Sequence, residues 1–266
     1  TEQNAKVFQK TKEKRISKIP MIFGSTVGHE TLYNYEGPML HMLTSQDTVS
    51  PRLLPDGEKM KMVADAASIA LITFQLVVSL GFKYIYLVGQ NLSYKNKTRY
   101  AEGIDYNTKQ EDESNLFVVK DVHGNNVYTD EGYNRMRIQF ENYIKWTADT
   151  GVEVINTTKE GAEIKGARFI PLEEVIEREL TNKNLVVENW YNGNSNYDMK
   201  LIKYNFRKLD NDRLILSNLL SDLNDYLSKL NISNKDVKIE TQFKNFDKAF
   251  KKARQNNYYL SFLAPM

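Results

Sequence analysis

The chain has 266 residues, 41% hydrophobic and 26% charged, which suits a folded protein of one large domain or slightly more and excludes a disordered one. Its 36 basic and 34 acidic residues leave a formal charge of +2, with no basic run dense enough to follow a nucleic-acid backbone. Cysteine is absent, which removes disulfides and thiolate chemistry and fits a reducing compartment.

In chain order, residues 3–16 are polar and Lys-rich and are expected to be helical. Ile19–Ser25 reads as a short buried strand that ends in small polar residues. Pro51, Pro55 and Gly57 mark residues 44–58 as a loop. A long helix is expected from Asp56, as N-cap, to Gly81, a good C-terminal glycine. It includes the apolar run Ala66–Phe82, which is interrupted by Ser68, Thr73, Gln75 and Ser79 and is therefore read as a helix on a sheet, not a membrane span. "KYIYLVG" then follows as a strand. The same helix-Gly-strand order returns with Asp130 as cap, Met136, Phe140, Tyr143 and Ile144 on one face, Gly151 at the end and "VEVINTT" as the strand. Two such units in succession predict a mostly parallel sheet flanked by helices. Between them, "LFVVKDVHGNNVYTD" carries a hairpin signal around His123–Asn126. "KGARFIPLEEVI" passes through Pro171 into a short helix. Leu216, Leu219, Leu220, Leu223, Leu227 and Leu230 recur at helical spacing, so the C-terminal region reads as helical, with this stripe as core. The expected division is an α/β domain over 1–180 and a helical region over 181–266. The start at Thr1 and the apolar end "SFLAPM" read as cut ends.

Ligands of open parallel sheets bind beyond the carboxyl ends of the strands. Three such ends are visible: Gly24-Ser25-Thr26, Gly89-Gln90-Asn91 and Asn156-Thr157-Thr158. Amides and hydroxyls suit sugar and nucleobase edges because they offer both donors and acceptors. Glycine lets a backbone approach a ligand closely. Polar strand ends are also ordinary turn chemistry. Ser68, inside the expected helix, reads first as a hydroxyl bonded to a carbonyl one turn back, and second as a ligand contact. Tyr94, Tyr100 and Tyr106 follow the strand, and a phenol can donate to a phosphate or a leaving group without carrying charge. Glu102 and Asp105 in the same loop are candidate bases or metal ligands, with a solvated loop as the commoner reading. His29, His41 and His123 have no ligand spacing, so a zinc enzyme is not expected. No GxGxxG, Walker A or GxSxG sequence occurs.

Three motifs together resemble a known family. "SIALITFQLVVSLGFKYIYLVGQNLSY", "VKDVHGNNVYTD" and "VINTTKEGAEIKGARFIPLEEVI" are similar, in order and spacing over about residues 58–180, to the bacterial motility accessory factor (Maf) flagellin glycosyltransferases. The domain of that family is also named MptE-like, after an archaeal hydroxymethylpterin diphosphokinase. Ser68 matches the family serine, Gly89, Gln90 and Tyr94 the strand-end motif, and Gly124, Val127 and Thr129 the hairpin. Asn156, Thr158 and Glu160-Gly161-Ala162 match the later motif with a one-residue shift. The chain departs from the pattern at Asn91, where the family has aspartate, and at Tyr100, where histidine is common. An amide is not a base and is a weaker metal ligand than a carboxylate.

The resemblance implies a sialyltransferase-like, Rossmann-type α/β domain in the cytoplasm, of which this chain is expected to lack the first strands, since the family's earlier Gly-rich segment is not found. It implies transfer of a nonulosonic acid, pseudaminic or legionaminic, from a CMP-sugar to Ser or Thr of flagellin, with no cofactor beyond the donor. The expected partners are flagellin and the CMP-activated sugar, with no nucleic acid and no membrane span. Tyr94 and Tyr100 are then candidate donors to the leaving phosphate. Glu102, Asp105, Glu160 and His123 are candidate bases. Ser68, Gly89, Gln90, Asn91, Asn156 and Thr158 are candidate binding residues. Two alternatives stand beside this reading: a Mg-dependent, pterin diphosphokinase-like enzyme, and a non-catalytic flagellin-binding paralogue.

Overall fold

The computed structural model describes residues 2–25, 27–33, 35–55, 59–94, 115–181, 189–192, 197–232 and 236–265. The chain divides into two compact units, one made of Thr1–Met62 with Tyr191–Met266, the other of Val63–Trp190.

In the first unit, helix α1 (Glu2–Glu13) precedes strand β1 (Met21–Gly24), helix α2 (His29–Tyr33), strand β2 (Met39–Met42) and helix α3 (Ser50–Leu53). β1 and β2 pair in parallel, with Phe23 opposite His41. α3 lies within the stretch expected as loop, because Pro51 fits the first turn of a helix, where its missing N–H costs nothing. Two long helices, α7 (Met199–Ile232) and α8 (Asp236–Arg254), complete this unit, and a π-helical turn (Tyr259–Leu263) follows them. They pack through Leu216 and Leu223 on α7 and Ala249 and Ala253 on α8, with Leu219, Tyr226 and Phe246 beside them. The predicted leucine stripe is therefore narrower than expected. Leu220 and Leu227 stay about half exposed, and Tyr226 takes the core position. α3 is tied to this helical part by Asn205 Nδ2, which donates to the Leu53 carbonyl, and by Arg52 Nη1, which donates to Asn257. Thr48 adds a bond to the Ser261 carbonyl.

The second unit holds helix α4 (Ile69–Ser79), strand β3 (Tyr84–Leu87), the hairpin β4 (Phe117–Lys120) and β5 (Asn126–Thr129), and helix α5 (Glu131–Thr147). Strand β6 (Glu153–Asn156), strand β7 (Arg168–Phe169) and helix α6 (Leu172–Glu179) follow. The sheet order is β3-β6-β7, all parallel, so the predicted mixed α/β architecture with a parallel sheet and a helical C-terminal region is present. Its core joins Leu71 and Phe74 of α4, Ile85 and Leu87 of β3, Phe140 and Ile144 of α5, and Val154 of β6. Phe74 meets Phe140 edge to face, with centroids 6.0 Å apart, and stacks on Tyr143. Gly151 ends the α5 segment at φ 74°, the left-handed conformation that glycine adopts without strain.

One boundary is corrected. The helix expected to run from Asp56 through Ser68 starts only after Ser68, and Asp56 lies outside the described residues. Ser68 is extended, and its hydroxyl accepts from the Leu71 amide, so it is the N-cap and not an interior serine. The preceding segment is held out of the helix by side chains. Gln75 donates to the Ala64 carbonyl, and Gln139 accepts from the Ala67 amide. Those bonds override the helix propensity of the alanines.

Candidate ligand site at the strand ends

A helix that turns directly into a strand runs back along it. The N-termini of α4 and α5 therefore lie at the same sheet edge as the carboxyl ends of β3 and β6. At that edge the chain after β3 is Val88-Gly89-Gln90-Asn91, and the chain after β6 is Thr157-Thr158. Gly89 has φ 70°, so the backbone turns sharply out of the strand there. Leu92, at φ 48°, makes a second left-handed turn and drives its side chain back into the core.

The two loops are locked together. Thr157 donates to the Leu87 carbonyl from both its amide (3.0 Å) and its hydroxyl (2.9 Å). The Ala162 amide donates to the Asn91 carbonyl at 2.7 Å, and Thr129 donates to the Leu92 carbonyl at 2.9 Å. Gly161 is where the loops touch. A Cβ there would stand 2.7 Å from the Asn91 oxygen and 2.9 Å from its Cα. That contact explains a glycine in the Glu160-Gly161-Ala162 run.

Asn156 is fully buried at the end of β6. Its Oδ1 accepts from the Thr158 amide at 3.0 Å, while its Nδ2 has no hydrogen-bond partner. The Thr158 hydroxyl is likewise buried without a partner. Buried polar groups are nearly always bonded, so two orphans two residues apart at a strand end are exceptions to that rule. Gln90, in the loop after β3, lines a cavity of about 420 Å³ along that strand, whose lining does not include Asn156 or Thr158. Its other walls include Thr73, Phe74, Val77, Tyr86 and Phe140. Apolar walls with a few polar groups are the usual make-up of a small-molecule pocket.

The predicted residues are distributed as follows. Gln90, Asn91, Asn156 and Thr158 come together at the strand ends. Asn91 is exposed, and its carbonyl rather than its side chain makes the loop contact. Glu160 is exposed in the same loop, and its carbonyl accepts from Ser93. Ser68 caps α4 at the same edge. Tyr94 is buried; its hydroxyl donates to Asp130, its amide donates to Tyr128, and its ring meets Tyr133 at 5.2 Å. Donation by Tyr94 to a leaving phosphate would require breaking its bond to Asp130. His123 is exposed on the hairpin turn, with its ring edge-on to Phe169 at 5.2 Å. Tyr100, Glu102 and Asp105 lie outside the described residues.

The sequence identifies Asp130 only as a helix cap. It is the cap, accepting from the Tyr133 amide at 2.7 Å, and it also receives Tyr94. The spacing between the tyrosine loop and the hairpin gave no sign of that second bond. Asp121 is a similar case: it is buried in the hairpin turn and accepts from the amides of His123 and Asn125 and from the Asn125 side chain. Burial pushes its carboxyl up, but those bonds and the nearby His123 outweigh this and hold it below its ordinary value. Among the described residues, no group of three or more His, Asp or Glu side chains is placed to hold a metal ion, and no helix is long and apolar enough to cross a membrane.

No curated protein and no solved structure matches the chain. Residues 1–97 match the family model described as 6-hydroxymethylpterin diphosphokinase MptE-like. The matched span contains the Ser68 and Gly89-Gln90 motif residues, whereas the hairpin and Asn156 motifs lie beyond it. The resemblance to the MptE-like family therefore holds at family level, carried by residues 1–97.

Proposed function

We propose that the β3–β6 strand ends bind a CMP-activated nonulosonic acid, and that the chain transfers this sugar to Ser or Thr of flagellin. The observation that supports the reading is the pair of unpartnered groups, Asn156 Nδ2 and the Thr158 hydroxyl, at the carboxyl end of β6. Amide and hydroxyl groups read the edges of a nucleobase or the hydroxyls of a sugar.

In the reaction, the acceptor oxygen bonds to the anomeric carbon as the bond to the CMP phosphate breaks. Negative charge develops on the departing phosphate, where oriented dipoles stabilise it. The N-terminus of α4, capped by neutral Ser68, supplies such a dipole at this edge. The N-terminus of α5 is less suited, because the Asp130 carboxylate already occupies it. The acceptor proton passes to a base, for which Glu160 and His123 are the exposed candidates in this unit. Incubating the protein with the CMP-sugar and flagellin tests the activity. The expected result is a mass gain on flagellin matched by release of CMP, and neither occurring would overturn the proposal.

The matched family's description favours a second reading, diphosphoryl transfer to a pterin alcohol. That reaction uses Mg²⁺ held by carboxylates beside the phosphates. Asn91, an amide at the end of β3, supplies no charge there.

A further inference from the structure

The first unit contains its own polar cluster, at the carboxyl ends of the parallel pair β1 and β2. Ser25 follows β1, and its Oγ lies 2.6 Å from His41 Nε2 and 2.9 Å from Ser50 Oγ. His41 stands on β2, with its ring stacked on Phe23 at 5.2 Å and on Tyr197 at 6.2 Å. Burial lowers the His41 pKa, with the Asp47 carboxylate acting in the opposite direction, so a neutral imidazole with an acceptor nitrogen is the favoured form at neutral pH. Asp47 is itself buried and fixed, accepting from the amides of Val49 (3.1 Å) and Ser50 (2.8 Å). Burial pushes its carboxyl up, but the polar groups around it outweigh this and hold it below its ordinary value; its Oδ1 takes the two amides and its Oδ2 has no hydrogen-bond partner.

Two parts of an activated nucleophile are present, an accessible hydroxyl and a base within hydrogen-bond reach, and the Asp47 carboxylate acts on that base through its charge and not through a hydrogen bond. We propose that Ser25 and His41 form a nucleophile–base pair that accepts an acyl group from a small ester. Ser25 Oγ attacks the ester carbonyl carbon, and its proton moves to His41 Nε2. The alkoxy group leaves and takes that proton, giving acyl-Ser25 and an alcohol. Water, deprotonated by His41, then attacks the acyl carbon and releases the acid and free Ser25. The Thr44 hydroxyl is buried without a hydrogen-bond partner, and it is the methyl group of that side chain that lies against Gly24. The cluster belongs to the first unit and does not rest on the function proposed for the β3–β6 strand ends.

The test treats the full chain with an alkyl fluorophosphonate, which forms an Oγ–P bond and expels fluoride at activated serines, and maps the adduct by mass spectrometry. The adduct is expected on Ser25. Labelling of His41→Asn, with an unchanged circular dichroism spectrum, is expected to be at least about 100-fold slower. Absence of an adduct on Ser25 in the unaltered protein overturns the proposal without recourse to any variant. Labelling of a folded His41→Asn at the unaltered rate overturns it equally.

Discussion

Gly161 is the residue at which one methyl group disturbs the site most. Alanine there places a carbon 2.7 Å from the Asn91 oxygen, and both groups sit on backbone that other bonds hold in place. Gly161→Ala should lower stability by about 1–3 kcal/mol, read as a lower urea midpoint. Tyr94 separates a structural role from a ligand role. Its hydroxyl donates to the Asp130 carboxylate, so Tyr94→Phe should cost about 1.5–3 kcal/mol, the usual value for a bond to a charged group. An unchanged urea midpoint would show instead that the hydroxyl is idle in the free protein. Asn156 differs from both, because its Nδ2 bonds nothing in the free structure. Its neighbour Thr158 depends on Oδ1 alone.

Among the elements, the two helix-Gly-strand units were legible because their signals are local. Each combines an apolar face, a capping side chain and a left-handed glycine, and Asp130, Gly151 and the hairpin all fell where the residues placed them. The start of α4 was not legible, because Ala66 and Ala67 favour helix and the side chains that oppose them, Gln75 and Gln139, come from other turns. Ser68→Ala should cost about 1 kcal/mol as the loss of an N-cap, read by thermal melting. A serine in the interior of a helix would gain or lose almost nothing. The hairpin carries a pH dependence. The folded pKa of Asp121 lies below its ordinary 3.8, so its contribution is fully present above the unfolded value and is lost as pH falls through the folded one. Exchange protection of the His123 and Asn125 amides should therefore hold from neutral pH down to roughly pH 5 and fall progressively below it. Asp121→Asn should reduce that protection already at pH 7.

For the whole molecule, the sequence shows three strand ends of like polarity, but the structure assigns them to two units. Gly24-Ser25 belongs to the β1–β2 pair, and Gly89-Gln90 and Asn156-Thr158 belong to the sheet of the second unit. Sequence order cannot show that division, because the contacts that join Arg52 to Asn257 and Thr48 to Ser261 span most of the chain. The motif residues of the second unit converge because parallel strands deliver their carboxyl ends to one edge. The orphan groups of Asn156 and Thr158 could not be read from the sequence, since a polar strand end looks the same whether its side chains are satisfied or not. The measurement that bears most directly on this site is a titration of isotope-labelled full-length protein with CMP and, separately, with Mg-ATP, followed by NMR. CMP should shift the side-chain amides of Gln90 and Asn156 and the backbone amide of Thr158, and Asn156→Ala should weaken CMP binding by about tenfold or more. Shifts at these residues with Mg-ATP but not CMP, or with neither, would contradict a nucleotide-sugar site at the β3–β6 strand ends.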